Sequence, residues 1–279
     1  MHYVFSKSCK GYLHDKNGKP CQDYSASYRD PERIIITCCD GHGGPQYVRS
    51  QVGSKIASDA VIDVFRQINA SNFLGKKKDK LPDEIKLLLL CEYNARVERE
   101  LGRRPLNKKE LIGLDEEQID NLRLYPAKAF GTTLSGAMAY KNKIIVVCIG
   151  DTEALGLRRG ELVRIFDNSD DPAANVTYSM CQEDAYRYLR VAILDRSKFD
   201  GILLCTDGLS SPFQSYENIH HSFIQPSVCE ILSTHSTSSL EERVEKIATS
   251  LGVGDDVSVA LFLDGQTKLR YYWQKVRRK

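Results

Sequence analysis

Four aspartates, Asp40, Asp151, Asp207 and Asp255, stand at the edges of apolar, strand-length runs. Glycine adjoins them in Asp40-Gly41, Gly150-Asp151 and Asp207-Gly208. One Asp-Gly after a strand is only a turn, because both residues suit that geometry. Four such positions beside central strands predict more than turns. If the strand ends converge, the carboxylates converge with them. Two carboxylates ~4–5 Å apart repel by roughly 3–4 kcal/mol at an effective dielectric near ~20. A hard divalent cation is the natural compensation, and an all-oxygen donor set favours Mg²⁺ or Mn²⁺. Glycine beside a ligand lets the backbone approach closely, so the Gly41 carbonyl is itself a candidate donor. The six histidines show no zinc-ligand spacing, and no Cys-x-x-Cys pair occurs.

The elements that must position these acids read from apolar periodicity. Residues 33–40 form a short run without alternation, as expected of a strand covered on both faces. Val48, Val52, Ile56, Ala60, Val64 and Ile68 then recur as a helical stripe. A basic turn is expected at residues 76–80, followed by a helix opening near Pro82 and running to Gly102. Residues 107–122 read as a weaker helical stretch inside an insertion. Residues 130–140 and 143–149 read as paired strands, and 153–158 with 161–166 as a hairpin turning at Arg159-Gly160. Residues 167–174 read as a polar loop and 182–191 as a helix. Residues 201–206 and 257–263 read as buried strands, with an amphipathic helix from Leu240 to Leu251 between them. Strand follows strand without an intervening helix, which predicts antiparallel pairing in an α+β fold.

The chain has 279 residues, of which 42% are hydrophobic and 27% charged. That composition belongs to globular proteins rather than disordered ones. No apolar run is long enough to span a membrane. The opening MHYVFSKSCK lacks a signal-peptide pattern. The nine cysteines are odd in number and fall largely in apolar runs, so reduced core thiols in a cytoplasmic protein are expected. The net charge is +2, but the last 15 residues carry six cations and no acid, leaving the other 264 at −4. That balance argues against a nucleic-acid-binding core. The tail reads as a helix packed by Tyr271, Tyr272 and Trp273.

Taken in order, Gln22-Asp23, Asp40-Gly41-His42-Gly43-Gly44, Gly131-Thr132-Thr133, Gly150-Asp151-Thr152, Thr206-Asp207-Gly208 and Asp255-Asp256-Val257-Ser258 resemble the metal-dependent protein phosphatases of type 2C, in a bacterial-type subgroup. The resemblance spans residues 21–261. It implies a four-layer α-β-β-α sandwich of two antiparallel sheets flanked by helices. It places a phosphatase domain at residues 1–264, with a helical insertion at 74–125 and a basic tail at 265–279. It implies two cations, Mn²⁺ or Mg²⁺, bridged by Asp40 and completed by the Gly41 carbonyl, Asp207 and Asp255. Asp23 would hold a metal-bound water, and Asp151 would form a third, weaker site with Asp207. His42 resembles the general acid. Many members carry Glu where this chain has Gln22, and a phosphate-binding Arg where it has Gly18. His14, Lys16 and Lys19 are the candidates for that phosphate contact.

The implied reaction is hydrolysis of phosphoserine or phosphothreonine in a protein substrate by a metal-bridging hydroxide, with a cognate protein kinase as a further expected partner. Small phosphoesters fit the same chemistry. A receiver domain phosphorylated on a strand-end aspartate would need alternating strand and helix units, which this chain lacks. A non-catalytic phosphoprotein-binding relative stays open because of Gln22 and the absent Arg. A two-metal nuclease would need a basic groove.

Overall fold

Unbroken apolar runs become strands covered on both faces. The computed structural model describes residues 2–166, 177–265 and 269–276. Its strands are β1 (Tyr3–Cys9), β2 (Tyr24–Arg29), β3 (Arg33–Cys39), β4 (Leu134–Tyr140), β5 (Lys143–Ile149), β6 (Glu153–Arg158), β7 (Glu161–Arg164), β8 (Arg190–Asp195), β9 (Gly201–Cys205) and β10 (Val257–Leu263). They form two sheets of order β1-β10-β9-β6-β7 and β2-β3-β4-β5-β8. Neighbouring strands pair antiparallel throughout.

Successive side chains of a strand point to opposite faces, and here both faces are dry. Ile34, Ile36 and Cys38 of β3 meet Ile202, Leu204, Ala260 and Phe262 between the sheets. The alternate residues Ile35 and Cys39, with Met138, Ile145 and Val147, face helices α2 (Ser50–Gln67) and α3 (Lys76–Arg103). Leu203, Cys205, Val259 and Leu261 face the helices Gln225–Thr234 and Ser238–Lys246 on the other side. The result is helix, sheet, sheet and helix, with three apolar layers. The C-terminal helix Arg270–Val276 belongs to the outer layer, where Leu269 and Tyr272 are buried. Tyr272 Oη lies 2.7 Å from His220 Nε2. All nine cysteines are free, and Cys38, Cys39, Cys148 and Cys205 are buried.

Several sequence expectations shift. Residues 76–80 are the first turn of α3 rather than a turn before it, and Pro82 lies inside the helix. Burial of Leu81 against the same core as Ile85 and Leu89 favours one continuous helix. Residues 108–113 are turns, and the helix α4 (Glu116–Leu124) is shorter than expected, opened by a capping box at Asp115. The expected helix at 182–191 is one turn, Ala185–Tyr188, followed by β8 pairing with the exposed edge of β5. Satisfying that edge outweighs the local helical pattern. The expected loop at 167–174 lies outside the described residues.

Residues 104–110 are held by one buried cation, Arg49. The backbone N–H of Arg49 donates to the Ala129 carbonyl at 2.8 Å. Its guanidinium donates to both Glu110 oxygens at 2.7 and 3.0 Å, and to the carbonyls of Arg104 at 2.5 Å and Pro105 at 3.0 Å. The hydrogen bonds from Arg49 hold the Glu110 carboxyl below the usual glutamate range. A depressed carboxylate contributes stability above its unfolded value and loses it as pH falls toward the folded one. Glu110→Ala, which leaves Arg49 buried without its carboxylate, is therefore expected to cost about 3 kcal/mol in urea unfolding at pH 7. The difference between variant and unmodified chain should shrink as pH drops below the ordinary glutamate value.

Candidate metal centre

Antiparallel register decides which strand ends lie together. Tyr24 opens β2 opposite Cys39, the end of β3. Leu134 opens β4 opposite Ile149, the end of β5. In the other sheet Cys205, ending β9, faces Glu153 at the start of β6 and Val259 near the start of β10. Asp23, Asp40, Asp151, Asp207 and Asp255 each lie one or two residues beyond these ends. Residues 150–152 join β5 to β6, so the two rims form one edge of the sandwich.

The backbone at Asp40 is pinned. Its carbonyl accepts from the Thr132 hydroxyl and the Thr133 N–H, both at 2.8 Å, and its N–H donates to Thr133 Oγ1 at 3.0 Å. Gly41 bridges Thr132 and packs so tightly that a Cβ would stand 2.5 Å from the Gln22 carbonyl oxygen. Gly208 meets the same constraint, with a Cβ 2.0 Å from the Asp256 oxygen. These two glycines permit the closeness that the strand ends need.

Asp23 is buried and accepts from the Thr206 hydroxyl at 2.8 Å, while Thr206 Oγ1 accepts from the Ser258 N–H at 3.0 Å. That relay ties one sheet to the other. Asp40 is half-buried, and Asp151, Asp207 and Asp255 reach solvent. Burial raises the Asp40 carboxyl well above its ordinary range, and Asp23, Asp207, Asp151 and Asp255 push it further. Burial likewise raises Asp23, opposed by the Thr206 hydrogen bond and reinforced by Asp256, Asp255 and Asp207. Asp207 is raised by burial and by Asp255 and Asp151, against the Gly208 N–H.

Among the described residues no lysine or arginine pairs with Asp23, Asp40 or Asp207. Carboxylates that raise one another without a lysine or arginine partner, all presenting oxygen, fit a hard cation. Gln22 adds a buried Oε1 with no partner among the described residues. Among the described residues no three His, Cys, Asp or Glu side chains close into a cage. Magnesium-type sites use one or two carboxylates and keep several waters, so the donor set still fits such an ion.

His42 donates its backbone N–H to the Gly131 carbonyl at 3.1 Å, and its ring lies 4.8 Å from that of Tyr47. Burial lowers its pKa, with Asp151 the opposing influence. His14 does not stand free for an anion. Its Nδ1 is 3.0 Å from Asp256 and its Nε2 3.4 Å from Asp255. Lys16 and Lys19 are exposed at and after the end of the short helix α1 (Tyr12–Lys16).

Sequence reasoning missed the supporting residues. Asp256 is buried and accepts from the N–H of Gly11 at 2.9 Å and of Gln22 at 2.6 Å. Thr206 and Ser179 were also unforeseen; the Ser179 hydroxyl bonds both to the N–H and to the carbonyl of Thr132. The Asp-Asp doublet was the only local signal, since each partner is distant in sequence.

A family model described as Protein phosphatase 2C matches residues 10–249. No curated protein matches the chain in sequence. Solved structures with the same fold include the catalytic domain of the serine threonine protein phosphatase PstP in complex with two manganese ions. It has 20% identity and a TM-score of 0.57, covering 94% of this chain and 97% of that one. PppA, a key regulatory component of T6SS in Pseudomonas aeruginosa, matches with the same four values. The S. agalactiae serine/threonine phosphatase has 16% identity and a TM-score of 0.58, covering 95% and 100%.

Removing one crowded charge relieves repulsion. Two charges roughly 8 Å apart repel by about 2 kcal/mol at an effective dielectric near ~20. Asp40→Asn is expected to raise the thermal midpoint of the metal-free protein. It should also abolish the rise that Mn²⁺ gives the unmodified chain, about 2.7 kcal/mol at 100 times Kd. Thermal scans with Mn²⁺ or EDTA check both halves, and an equal Mn²⁺ shift in the variant would remove Asp40 from the centre.

Proposed function

The chain belongs to the protein phosphatase 2C family, the serine/threonine phosphoprotein phosphatases, and we propose that it hydrolyses phosphoserine and phosphothreonine in proteins with two divalent cations, Mn²⁺ or Mg²⁺. One observation carries this reading. Carboxylates from both sheets crowd one edge and raise one another, and among the described residues no lysine or arginine pairs with Asp23, Asp40 or Asp207. That arrangement repels a phosphate dianion unless cations intervene.

In this reading Asp40, the Gly41 carbonyl, Asp207 and Asp255 would hold the two cations, and Asp151 with Asp207 would offer a third, weaker site. When bound, the cations supply an activated water and offset the charge of the phosphoryl group. The chain's own residues do the rest. Thr132 and Thr133 fix the Asp40 backbone, so the carboxylate is aimed before substrate arrives. Asp23, locked by Thr206, would hold a water of the cation shell. His42, on the loop that directly follows Asp40, protonates the leaving serine or threonine oxygen. Lys16 and Lys19 are the remaining cations for the phosphate, because His14 is engaged by Asp255 and Asp256. Free thiols throughout favour a cytoplasmic setting, and a cognate protein kinase is the natural source of substrate.

The deciding assay is release of inorganic phosphate from a phosphothreonine peptide with Mn²⁺, Mg²⁺ or EDTA. Turnover that needs metal is expected. Peptide binding without turnover at any metal concentration would make the chain a binding relative instead, and turnover of small phosphoesters alone would move the substrate class. His42→Ala is expected to slow alkyl phosphates by roughly 100-fold or more, the usual scale of general-acid help. Nitrophenyl phosphate, whose leaving group needs no proton, should be slowed far less. Equal losses on both would count against the general-acid role.

A further inference from the structure

Gln22 lies where the segments carrying the site cross. Its backbone N–H donates to Asp256 Oδ2 at 2.6 Å, and its carbonyl accepts from the Ser54 hydroxyl at 2.7 Å. Its side-chain amide donates to the His42 carbonyl at 2.9 Å and to the Ser50 hydroxyl at 2.5 Å. Ser50 opens α2, and His42 sits on the loop between β3 and that helix. The amide therefore spans the loop and the helix start. Its Oε1 is buried and has no partner among the described residues.

The identity of the partner fixes the chemistry required at position 22. A backbone carbonyl only accepts, so the residue facing His42 must donate. A carboxylate of the same shape has no proton to offer at neutral pH and would set oxygen against oxygen. The side chain here is thus a donor first, and an acceptor only through the oxygen left over.

We propose that Gln22 is a positioning residue for His42. Its amide clamps residues 41–44 to the first turn of α2 and so holds the imidazole at the aspartate rim, while the unmatched Oε1 accepts from a water at the same loop. The catalytic part of this proposal rests on the phosphatase reading above. The clamp itself does not, and the two are separable by experiment.

Two variants test it. Gln22→Glu keeps shape and removes the donor, and Gln22→Ala removes the whole side chain. Amide hydrogen exchange across residues 42–47 is read on metal-free protein, and kcat and KM on a phosphothreonine peptide with Mn²⁺. Both variants are expected to speed exchange about tenfold, the effect of losing one hydrogen bond of ordinary net strength. Both should lower kcat about tenfold or more with KM within roughly twofold, as befits a group that acts through another. Gln22→Glu performing no better than Gln22→Ala is the signature of a required donor. Unchanged exchange and kcat in Gln22→Glu would overturn the proposal. So would a loss confined to Mn²⁺ affinity with exchange unaltered, because position 22 would then act on the cation alone. If the unmodified chain releases no phosphate, the phosphatase reading fails, and the exchange comparison still decides whether the clamp exists.

Discussion

Mutual repulsion among carboxylates at one edge of the sandwich is the constraint around which the rest is arranged. Asp23, Asp40 and Asp207 are each raised by burial and by the other acids. Left to themselves, such groups would separate or take up protons. They stay because the strands beneath them are fixed by three apolar layers, in which Ile35, Ile145, Leu203 and Val259 are fully buried. The hydrophobic core does not select the acids. It supplies the free energy against which their crowding can be sustained.

Hydrogen bonds then convert a crowded edge into a defined one. Thr132 and Thr133 hold the Asp40 backbone, and the relay from Ser258 through Thr206 to Asp23 joins the two sheets. The Asp255-Asp256 doublet divides its work. Asp255 keeps its side chain 50% exposed toward the rim, while that of Asp256 is 2% exposed and is held by two backbone N–H groups beside His14. Adjacent residues before a strand project in different directions, so one carboxylate can serve as a staple and its neighbour as a donor.

Residues 104–110 are joined to the loop before α2 through a charge of opposite sign. Arg49 is buried, yet its guanidinium meets a carboxylate and two carbonyls. Its own backbone lies between the His42 loop and the start of α2. A buried guanidinium without partners would be costly, so residues 104–110 must close over it. Those residues are thereby coupled to the loop that carries His42.

Much of the fold was legible in the residues themselves. Continuous apolar runs marked β3, β5, β9 and β10, and the ordered Asp-Gly elements marked the acids that the register brings to one edge. Those signals are local, because strand-forming runs and Asp-Gly turns are written in neighbouring residues. The strands β1, β2 and β8 escaped notice, since edge and half-buried strands carry weaker patterns and β8 is decided by its pairing with β5. The roles of Gln22, Thr206, Asp256 and Arg49 were also invisible, as each depends on partners as much as 245 residues away. The sequence by itself determined which oxygens can meet, through the placement of aspartates at strand ends. Only the tertiary structure decided which of them face outward and which are held as staples, because that choice follows from hydrogen-bond partners that no local spacing encodes.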